Sequence, residues 1–175
     1  MFLIEDSHIG LTPYTHNDDE DMFSCWLDIN TQKGYNCTYE QALEGFGRFK
    51  IERFPFWVTV VDKELDKRVG SLRLGLDESC PDLALWIYPQ YRHRGYGTSS
   101  FALALKYIFN NYQYPEIAAG CFEDNLYSMR IIKKLGLIHY PDGDVVENDC
   151  FTGQNRTMQE FRITKGMMEG FLLNT

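Results

Sequence analysis

Residues 83–98 read LALWIYPQYRHRGYGT, a short apolar run followed by a basic loop that contains two glycines. The apolar run is closed by Pro89 and predicts a buried strand. Apolar residues then recur at helical spacing up to Tyr112, which predicts a helix that begins near Thr98. A strand, a glycine loop and a helix in this order aim several backbone N–H groups and the positive end of a helix dipole at one spot. Because Gly95 and Gly97 lack a Cβ atom, an anion can approach the backbone closely there.

The charges around this loop agree with an anion site. The chain holds 25 acidic residues and has a net charge of −8, yet no acid lies between Leu83 and Pro115. Arg92, Arg94 and Lys106 occupy the same window. The stretch therefore predicts a cradle for a pyrophosphate group. The competing interpretation is a surface turn whose two arginines serve solubility, and a Gly-x-Gly pattern alone does not decide between the two.

Two common phosphate-binding loops do not fit this pattern. The dinucleotide fingerprint needs a third glycine where Ser100 stands, and it needs an acid at the end of the following strand. Glu116 begins that strand instead, although Glu123 lies near its far end. The P-loop needs Gly-Lys-Ser/Thr, which this loop lacks.

Composition sets the broad class of protein. With 44% hydrophobic residues, 175 residues can bury one core, so we predict a single domain over residues 1–175. The segment Met1–Asp6 lacks basic residues and has only four apolar residues in a row, so we expect neither a signal peptide nor a membrane span there. Five cysteines without a C-x-x-C pair indicate reduced thiols in the cytoplasm, with no disulfide framework and no metal site. The acidic balance argues against nucleic acid as a partner and mildly favours a cationic substrate.

The remaining elements follow from hydrophobic periodicity and turn residues. We expect an edge strand within residues 7–15, a helix opened by Asn17, and a second helix that begins at a Thr38 capping box and buries an aromatic stripe up to Phe49. The strands expected over 56–62 and 69–76 form a hairpin with one solvated face. Strands over 83–88, 116–122, 137–140 and 157–164 and helices over 98–111 and 125–135 complete the chain, and residues 142–150 are expected to be irregular. The order is β-α-α-β-β-β-α-β-α-β-β, a mixed sheet with helices on both faces.

Several motifs carry a resemblance to a known family. The pattern Arg/Gln-x-x-Gly-x-Gly/Ala, met by Arg92, Gly95 and Gly97, resembles the coenzyme A signature of the GCN5-related N-acetyltransferases (GNAT). Three further motifs match this family in sequence and spacing: Trp86-Ile87-x-Pro89, Asn125-x-x-Ser128 and Lys134-Leu135-Gly136. Together they are similar to the branch of the ribosomal-protein N-terminal alanine acetyltransferases. The resemblance implies the GNAT fold, an α/β (α+β) class with a mixed, mostly antiparallel sheet.

The resemblance also implies a reaction and a set of site residues. It implies direct transfer of an acetyl group from acetyl-CoA to an amine, with no acyl-enzyme, and a splay between strand 83–88 and strand 116–122 that frees backbone groups for the pantetheine arm. The residues expected to bind acetyl-CoA are Ile87, Tyr88, Arg92, His93, Arg94, Gly95, Tyr96, Gly97, Thr98 and Asn125. Asn125 has an equally good explanation as a plain helix N-cap. His93 could be a general base, although its place in the loop favours charge complementation.

Ser128 and Glu123 are the candidate catalytic residues. Ser128 lies one helical turn after Asn125 and could donate a proton to the departing thiolate; the alternative is a small residue chosen for helix packing. The sequence does not select the base among Asp82, Glu123, His139 and Glu160. Cys121 lies in an apolar strand without a histidine neighbour, which favours a core cysteine over a nucleophile.

The acceptor is the least determined part. An α-amine with a pKa of about 7.7–8.0 is partly neutral at physiological pH, whereas lysine needs roughly 4 kcal/mol to deprotonate. A site without a clear base therefore favours a protein or peptide N-terminal α-amine. A small amine, either a polyamine or an aminoglycoside, is the alternative acceptor. A catalytically silent CoA-binding module and a ligand-free interaction domain are the competing functions, and the oligomeric state, with a homodimer among the options, stays open. We expect neither nucleic acid nor a membrane as a partner.

Overall fold

A computed structural model describes residues 1–46 and 50–172 of the chain. Nine strands run through it: β1 Ile4–Glu5, β2 Ile9–Pro13, β3 Trp57–Asp62, β4 Lys67–Leu74, β5 Leu83–Ile87, β6 Glu116–Phe122, β7 Ile138–His139, β8 Val145–Asn148 and β9 Asn155–Thr164. The helices are α1 Asp19–Leu27, α2 Ile29–Gly34, α3 Leu43–Phe46, α4 Tyr96–Asn111, α5 Leu126–Lys134 and α6 Lys165–Leu172. The predicted α/β class and the order of the main elements are confirmed.

The strands form two antiparallel sheets that meet at one point. The first sheet has the order β1-β2-β3-β4-β5, and the second has β6-β9-β7 with β8 also paired to β9. One parallel bridge between Asp82 and Ala118 joins the start of β5 to β6, supported by a 3.0 Å hydrogen bond from Ala118 N to Pro81 O. Among the described residues this bridge is the parallel contact that makes the sheet mixed.

Two apolar clusters cover the two faces of the first sheet. The larger one packs α4 residues such as Leu105 and Ile108 against Val58 and Leu72 of β3 and β4. The smaller one joins α1 to the opposite face through Met22, Cys25, Trp57 and Trp86. The prediction that one face of the β3–β4 hairpin is solvated is therefore wrong. Ser71 on that face is fully buried and accepts a 3.1 Å hydrogen bond from the Trp57 indole, because α1 and the segment after it cover the hairpin.

Three element predictions need correction. β2 is an internal strand, because Ile4 and Glu5 of β1 pair with its free side. The segment 142–150 is only partly irregular, since β8 pairs with β9 along Val145–Asn148. The helix expected from Thr38 does not form there: residues 38–42 are non-helical and a single turn, α3, follows at Leu43–Phe46. Gly45 lowers helix propensity in this segment, and Phe49 lies outside the described residues.

Candidate active site

A gap opens between β5 and β6 beyond the bridge at Asp82. In the antiparallel ladder between β4 and β5, Tyr88 N donates to Val69 O at 3.0 Å and Gly75 N donates to Asp82 O at 2.8 Å. Even-numbered residues of β5 therefore direct their backbone groups at β4, and Leu85 and Ile87 direct theirs at the gap. The splay expected from the resemblance is present.

The prediction that backbone groups of Tyr88 are free to bind the pantetheine arm does not fit the structure. Its N–H is used in the ladder to Val69, and its carbonyl accepts from Tyr91 N at 2.9 Å. The parity of the ladder, which sequence periodicity does not reveal, decides this. The gap is lined instead by backbone groups of Leu85 and Ile87, and the Leu85 carbonyl already accepts from the Tyr35 hydroxyl at 2.8 Å.

The N-terminus of α4 lies at the end of this gap. Gly95 is its N-cap with φ of 88°, and His93 also has a positive φ, of 61°. The first intrahelical bond runs from Ser99 N to Gly95 O at 3.2 Å, so the N–H groups of Tyr96, Gly97 and Thr98 precede the helical ladder. Within the described part of the chain no side chain caps them, and the first turn holds no acid. Free N–H groups and the helix dipole make this terminus suitable for a pyrophosphate.

The two glycines of the loop have different roles. A Cβ atom built on Gly95 would meet nothing within 4 Å, so the space in front of this residue is open. A Cβ atom on Gly97 would lie 2.7 Å from Cδ1 of Ile131 and 3.5 Å from Cδ2 of Leu85. Gly97 therefore lets α4 pack against α5 and β5, and the steric reason for glycine at this position is helix packing.

The side chain of Arg92 forms its hydrogen bonds within the protein. Its guanidinium donates to Asp28 Oδ2 at 2.8 Å, to Thr31 Oγ1 at 2.7 Å and to the Ile87 carbonyl at 3.1 Å. Burial would raise the pKa of Asp28, but the hydrogen bond and charge of Arg92, together with hydrogen bonds from Thr31, outweigh it and hold that pKa below its usual range. Arg92 thus fastens the N-terminus of α2 to the end of β5, which positions the loop.

The other side chains of the loop are either bonded to the rest of the protein or exposed to solvent. The Tyr96 hydroxyl donates to Asp62 Oδ2 at 2.5 Å, which fixes the first turn of α4 to β3. His93 and Arg94 are exposed, with the His93 ring 4.6 Å from the ring of Tyr127 in α5. Arg94 therefore offers an exposed positive charge beside the α4 terminus.

The start of α5 carries the remaining predicted residues. Asn125 is the N-cap of α5, and its Oδ1 accepts from Ser128 N at 3.2 Å. Ser128 is half-buried in the first turn, and Glu123 is exposed just after β6. The structure brings these three residues together at the end of β6, beside the gap.

The other candidate bases are engaged elsewhere. Glu160 accepts from Arg162 Nε at 2.6 Å, and His139 pairs with Asp144 at 2.9 Å, both on the second sheet. Asp82 forms the bridge at the closed end of the gap. Cys121 is buried in β6, and burial raises its pKa to about 11, which suppresses the thiolate.

Sequence reasoning missed a bridge across the open side of the gap. Asn36, after α2, donates to Glu147 Oε2 and to the Asn148 carbonyl at 3.0 Å each, and it accepts from Cys150 N at 2.9 Å. Arg156 of β9 reaches the Lys33 carbonyl at 3.1 Å. The segment after α2 and the β8–β9 hairpin therefore meet over the gap. The positive φ of Asn36, 48°, fits a turn residue, but nothing in the sequence signals its partner.

A family model described as an acetyltransferase (GNAT) domain matches residues 6–138. The chain therefore belongs to the GNAT family, and it is an acyl-CoA-dependent N-acetyltransferase. No curated protein matches the sequence significantly. Among the described residues, no helix is long and apolar enough to cross a membrane, and no group of three or more metal-binding side chains occurs.

Three solved structures illustrate the similarity of fold. A spermidine N-acetyltransferase from Vibrio cholerae, in complex with CoA and spermine, has a TM-score of 0.81 at 14% identity and covers 94% of this chain and 99% of its own. A GNAT-family acetyltransferase from Bacillus anthracis has a TM-score of 0.75 at 18% identity, with 95% and 99% covered. A Salmonella typhimurium acetyl transferase that modifies the N-terminal serine of ribosomal protein L7/L12 has a TM-score of 0.76 at 9% identity, with 94% and 99% covered.

Proposed function

We propose that this enzyme transfers an acetyl group from acetyl-CoA directly to a protein or peptide N-terminal α-amine. The observation that carries the proposal is the gap between β5 and β6, which ends at the uncapped N-terminus of α4. A helix terminus with free N–H groups suits a pyrophosphate, and exposed backbone groups of a splayed strand suit an amide-containing arm. A polyamine or an aminoglycoside is the alternative acceptor.

The α4 terminus is the proposed pyrophosphate site. The N–H groups of Tyr96, Gly97 and Thr98 would donate to the phosphate oxygens, the open space at Gly95 admits them, and Arg94 supplies positive charge. His93 is proposed to contribute to the pyrophosphate site because it lies in the loop. Arg92 is proposed to contribute indirectly, through the contacts that hold the loop in place. Ile87, together with Asn125, would hydrogen-bond the pantetheine arm.

Ser128 and Glu123 are the proposed proton-transfer residues. An amine attacks a thioester only in its neutral form, and the departing thiolate needs a proton or a hydrogen bond. The Ser128 hydroxyl lies in the first turn of α5 and can donate to the sulfur, where charge develops as the carbon–sulfur bond breaks. Glu123, at the end of β6, is the proposed acceptor of the amine proton.

Direct transfer is supported by the state of the two buried cysteines. Cys25 and Cys121 are buried, and burial raises the pKa of each thiol. Neither is therefore an activated nucleophile. Intact-mass spectrometry after mixing with acetyl-CoA is expected to show no kinetically competent acetyl adduct, and such an adduct on Cys121 would contradict direct transfer.

Two measurements test the proposed function. Calorimetry is expected to show acetyl-CoA binding and a higher melting temperature, because a ligand of the folded state stabilises it by mass action. Free-thiol release is then followed with N-terminal peptides, polyamines and aminoglycosides as acceptors. Absence of binding at millimolar CoA would overturn the proposal, and binding without turnover on any amine would leave the silent CoA-binding module. The cytoplasmic location and the homodimer stay predictions.

A further inference from the structure

A cavity of about 430 Å³ lies on the face of the first sheet opposite α4. Its walls include Trp26, Tyr39, Phe46, Trp57, Arg73 and Trp86, from α1, the segment 38–46 and the strands β3, β4 and β5. The volume falls in the range of small-molecule sites, about 300–1,000 Å³. All three tryptophans of the chain line it.

Three buried polar atoms in this wall have no hydrogen-bond partner among the described residues. They are Nε of Arg73, Nε1 of Trp86 and the hydroxyl of Tyr39. Buried donors are normally satisfied, and leaving one unsatisfied costs roughly 1–3 kcal/mol. Arg73 and Trp86 offer only donors, and the Tyr39 hydroxyl can also donate. A group that only accepts hydrogen bonds suits each of these donors.

Arg73 differs from the ion-paired arginines of the fold. Arg68, Arg92, Arg156 and Arg162 each bind a carboxylate, whereas Arg73 has no carboxylate oxygen within 4.0 Å among the described residues. Its guanidinium lies instead against aromatic rings, 4.3 Å from the centre of Phe54 and 5.4 Å from those of Trp57 and Trp86.

Aromatic contacts hold the guanidinium but do not neutralise it. Burial lowers the pKa of Arg73, while Tyr35 and Asp82 act on it from a distance in the opposite sense. Glu40, which also lines the cavity, is exposed. A half-buried cation beside a cavity is stabilised by an anion placed against it.

We propose that this cavity binds the acceptor through a carboxylate that pairs with Arg73, with an apolar body packed among the tryptophans. This inference rests on the proposed acetyl transfer and names its substrate class. The carboxylate belongs either to the main chain of an amino acid or to an acidic side chain near a peptide N-terminus. A polyamine is disfavoured, because it would place a second cation against Arg73.

The cavity and the gap share a wall. Trp86 of β5 lines the cavity, while the neighbouring Leu85 and Ile87 direct their backbone groups at the gap. Tyr35 connects the two: its ring stacks on Trp86 at 5.3 Å between centroids and its hydroxyl donates to the Leu85 carbonyl. An acceptor anchored on Arg73 therefore lies next to the strand whose other edge faces the proposed thioester position.

Tryptophan fluorescence tests the cavity without CoA and without turnover. The probes are N-acetylphenylalanine and its amide, which differ only in the carboxylate. The wild type is expected to bind the acid at least about tenfold more tightly, the size of a charged hydrogen bond. A second pair, acetyl-Ala-Glu-amide and acetyl-Ala-Gln-amide, distinguishes a side-chain carboxylate from a main-chain one. Equal binding within both pairs, or no binding by any probe, would overturn the proposal.

Arg73→Gln is the decisive variant. It is expected to abolish the preference for the carboxylate and to leave binding of the amide unchanged, whereas the exposed control Arg53→Gln retains the preference. Tyr39→Phe removes one donor with little change of shape, and we expect a reduction of a few fold for the acid alone. It keeps the proposal testable if Arg73→Gln does not fold. A preference that survives in both variants would assign Arg73 to packing.

Turnover separates this proposal from acetyl transfer itself. If acetyl-CoA binds and amines are acetylated, but spermidine is used as well as a carboxylate-bearing amine by wild type and Arg73→Gln alike, the cavity proposal fails and the proposed reaction stands. If the fluorescence preference is found and no amine is acetylated, the proposed function fails and the carboxylate site stands.

Discussion

The gap beside β5 and the cavity beside β5 are lined by different kinds of chemical group. The edge of β5 that faces β6 presents backbone groups of Leu85 and Ile87, and the first N–H groups of α4 lie at the end of the gap. The cavity on the sheet face is lined by side chains, Arg73 and three tryptophans brought together from distant parts of the sequence. A site made of backbone groups recognises a constant ligand and leaves a glycine pattern in the sequence. A site made of side chains can vary with the acceptor, and it leaves no compact motif.

The charges show the same contrast. The chain has a net charge of −8, which mildly favours a cationic substrate. The cavity is nevertheless lined by a half-buried arginine, Arg73, without a carboxylate contact among the described residues. Because solvent screens the distant surface acids, the nearest desolvated charge has more influence on a bound acceptor than the total charge.

The largest expected effect lies at Ser128, the proposed donor to the departing sulfur. Ser128→Ala is expected to lower kcat by roughly 100-fold with little change in affinity for CoA, because a donor to the departing sulfur acts only in the transition state. Steady-state kinetics on a working acceptor measures this. The matched control is the exposed Ser7→Ala. A kcat within about threefold of wild type would make Ser128 a packing residue, since a lost donor costs far more.

Substitution of Gly97 tests whether helix packing is the reason for a glycine at this position. Gly97→Ala is expected to destabilise the fold by about 1–3 kcal/mol through its clash with Ile131, which lowers the melting temperature by roughly 2–4 °C per kcal/mol. Ile131→Val removes the clashing Cδ1 atom and should restore part of the loss.

Gly95→Ala is the control for that pair. Gly95→Ala is expected to lower the free energy of unfolding by roughly 1–2 kcal/mol, because the backbone is left-handed at this residue. No neighbouring atom of the described residues lies within 4 Å of the added Cβ, so there is no clash that a second substitution could remove. Ile131→Val should therefore not rescue it. Equal rescue of both glycine variants would contradict the packing role of Gly97.

Arg92 tests whether the loop side chains bind phosphate or hold the loop. Arg92→Met is expected to cost about 2 kcal/mol of stability at pH 7, the size of hydrogen bonds to a charged group. The pKa of Asp28 is depressed in the folded state, so this contribution is present above the unfolded value of about 3.9 and is lost as pH falls through the folded pKa. The difference in urea unfolding between wild type and variant should therefore begin to shrink below about pH 4 and shrink further as pH falls through the folded pKa, and the part due to the hydrogen bonds to Thr31 and Ile87 should remain. A large loss of CoA affinity at unchanged stability would show a direct phosphate contact instead.

The smallest effect is expected at Thr98. Thr98→Ala keeps the backbone N–H, so affinity for CoA should fall by less than about fivefold, the worth of one neutral hydrogen bond. Calorimetry with CoA measures this. A larger loss would mean that the hydroxyl, and not the backbone alone, binds the pyrophosphate, and the cofactor side would then depend on side chains as well.

The sequence by itself determined the family, the fold class and the position of the glycine loop that is the proposed cofactor site. The local features are strand 83–87, Gly95 at the N-cap of α4, the Asn125 N-cap and the left-handed Gly136 after α5, and local backbone preferences decide them. A window of acid-free sequence was enough to indicate an anion site, because a helix terminus and its charges are adjacent along the chain.

Tertiary structure alone decided which of those residues face the gap. Arg92 pairs with Asp28, Tyr96 with Asp62, and Tyr88 donates to Val69, because each meets a partner at least 19 positions away in the sequence. The burial of Ser71 and the assembly of the cavity around Arg73 also depend on α1 and the segment 38–46 folding over β4. Long-range packing sets these contacts, and hydrophobic periodicity carries information only about neighbours within a few residues.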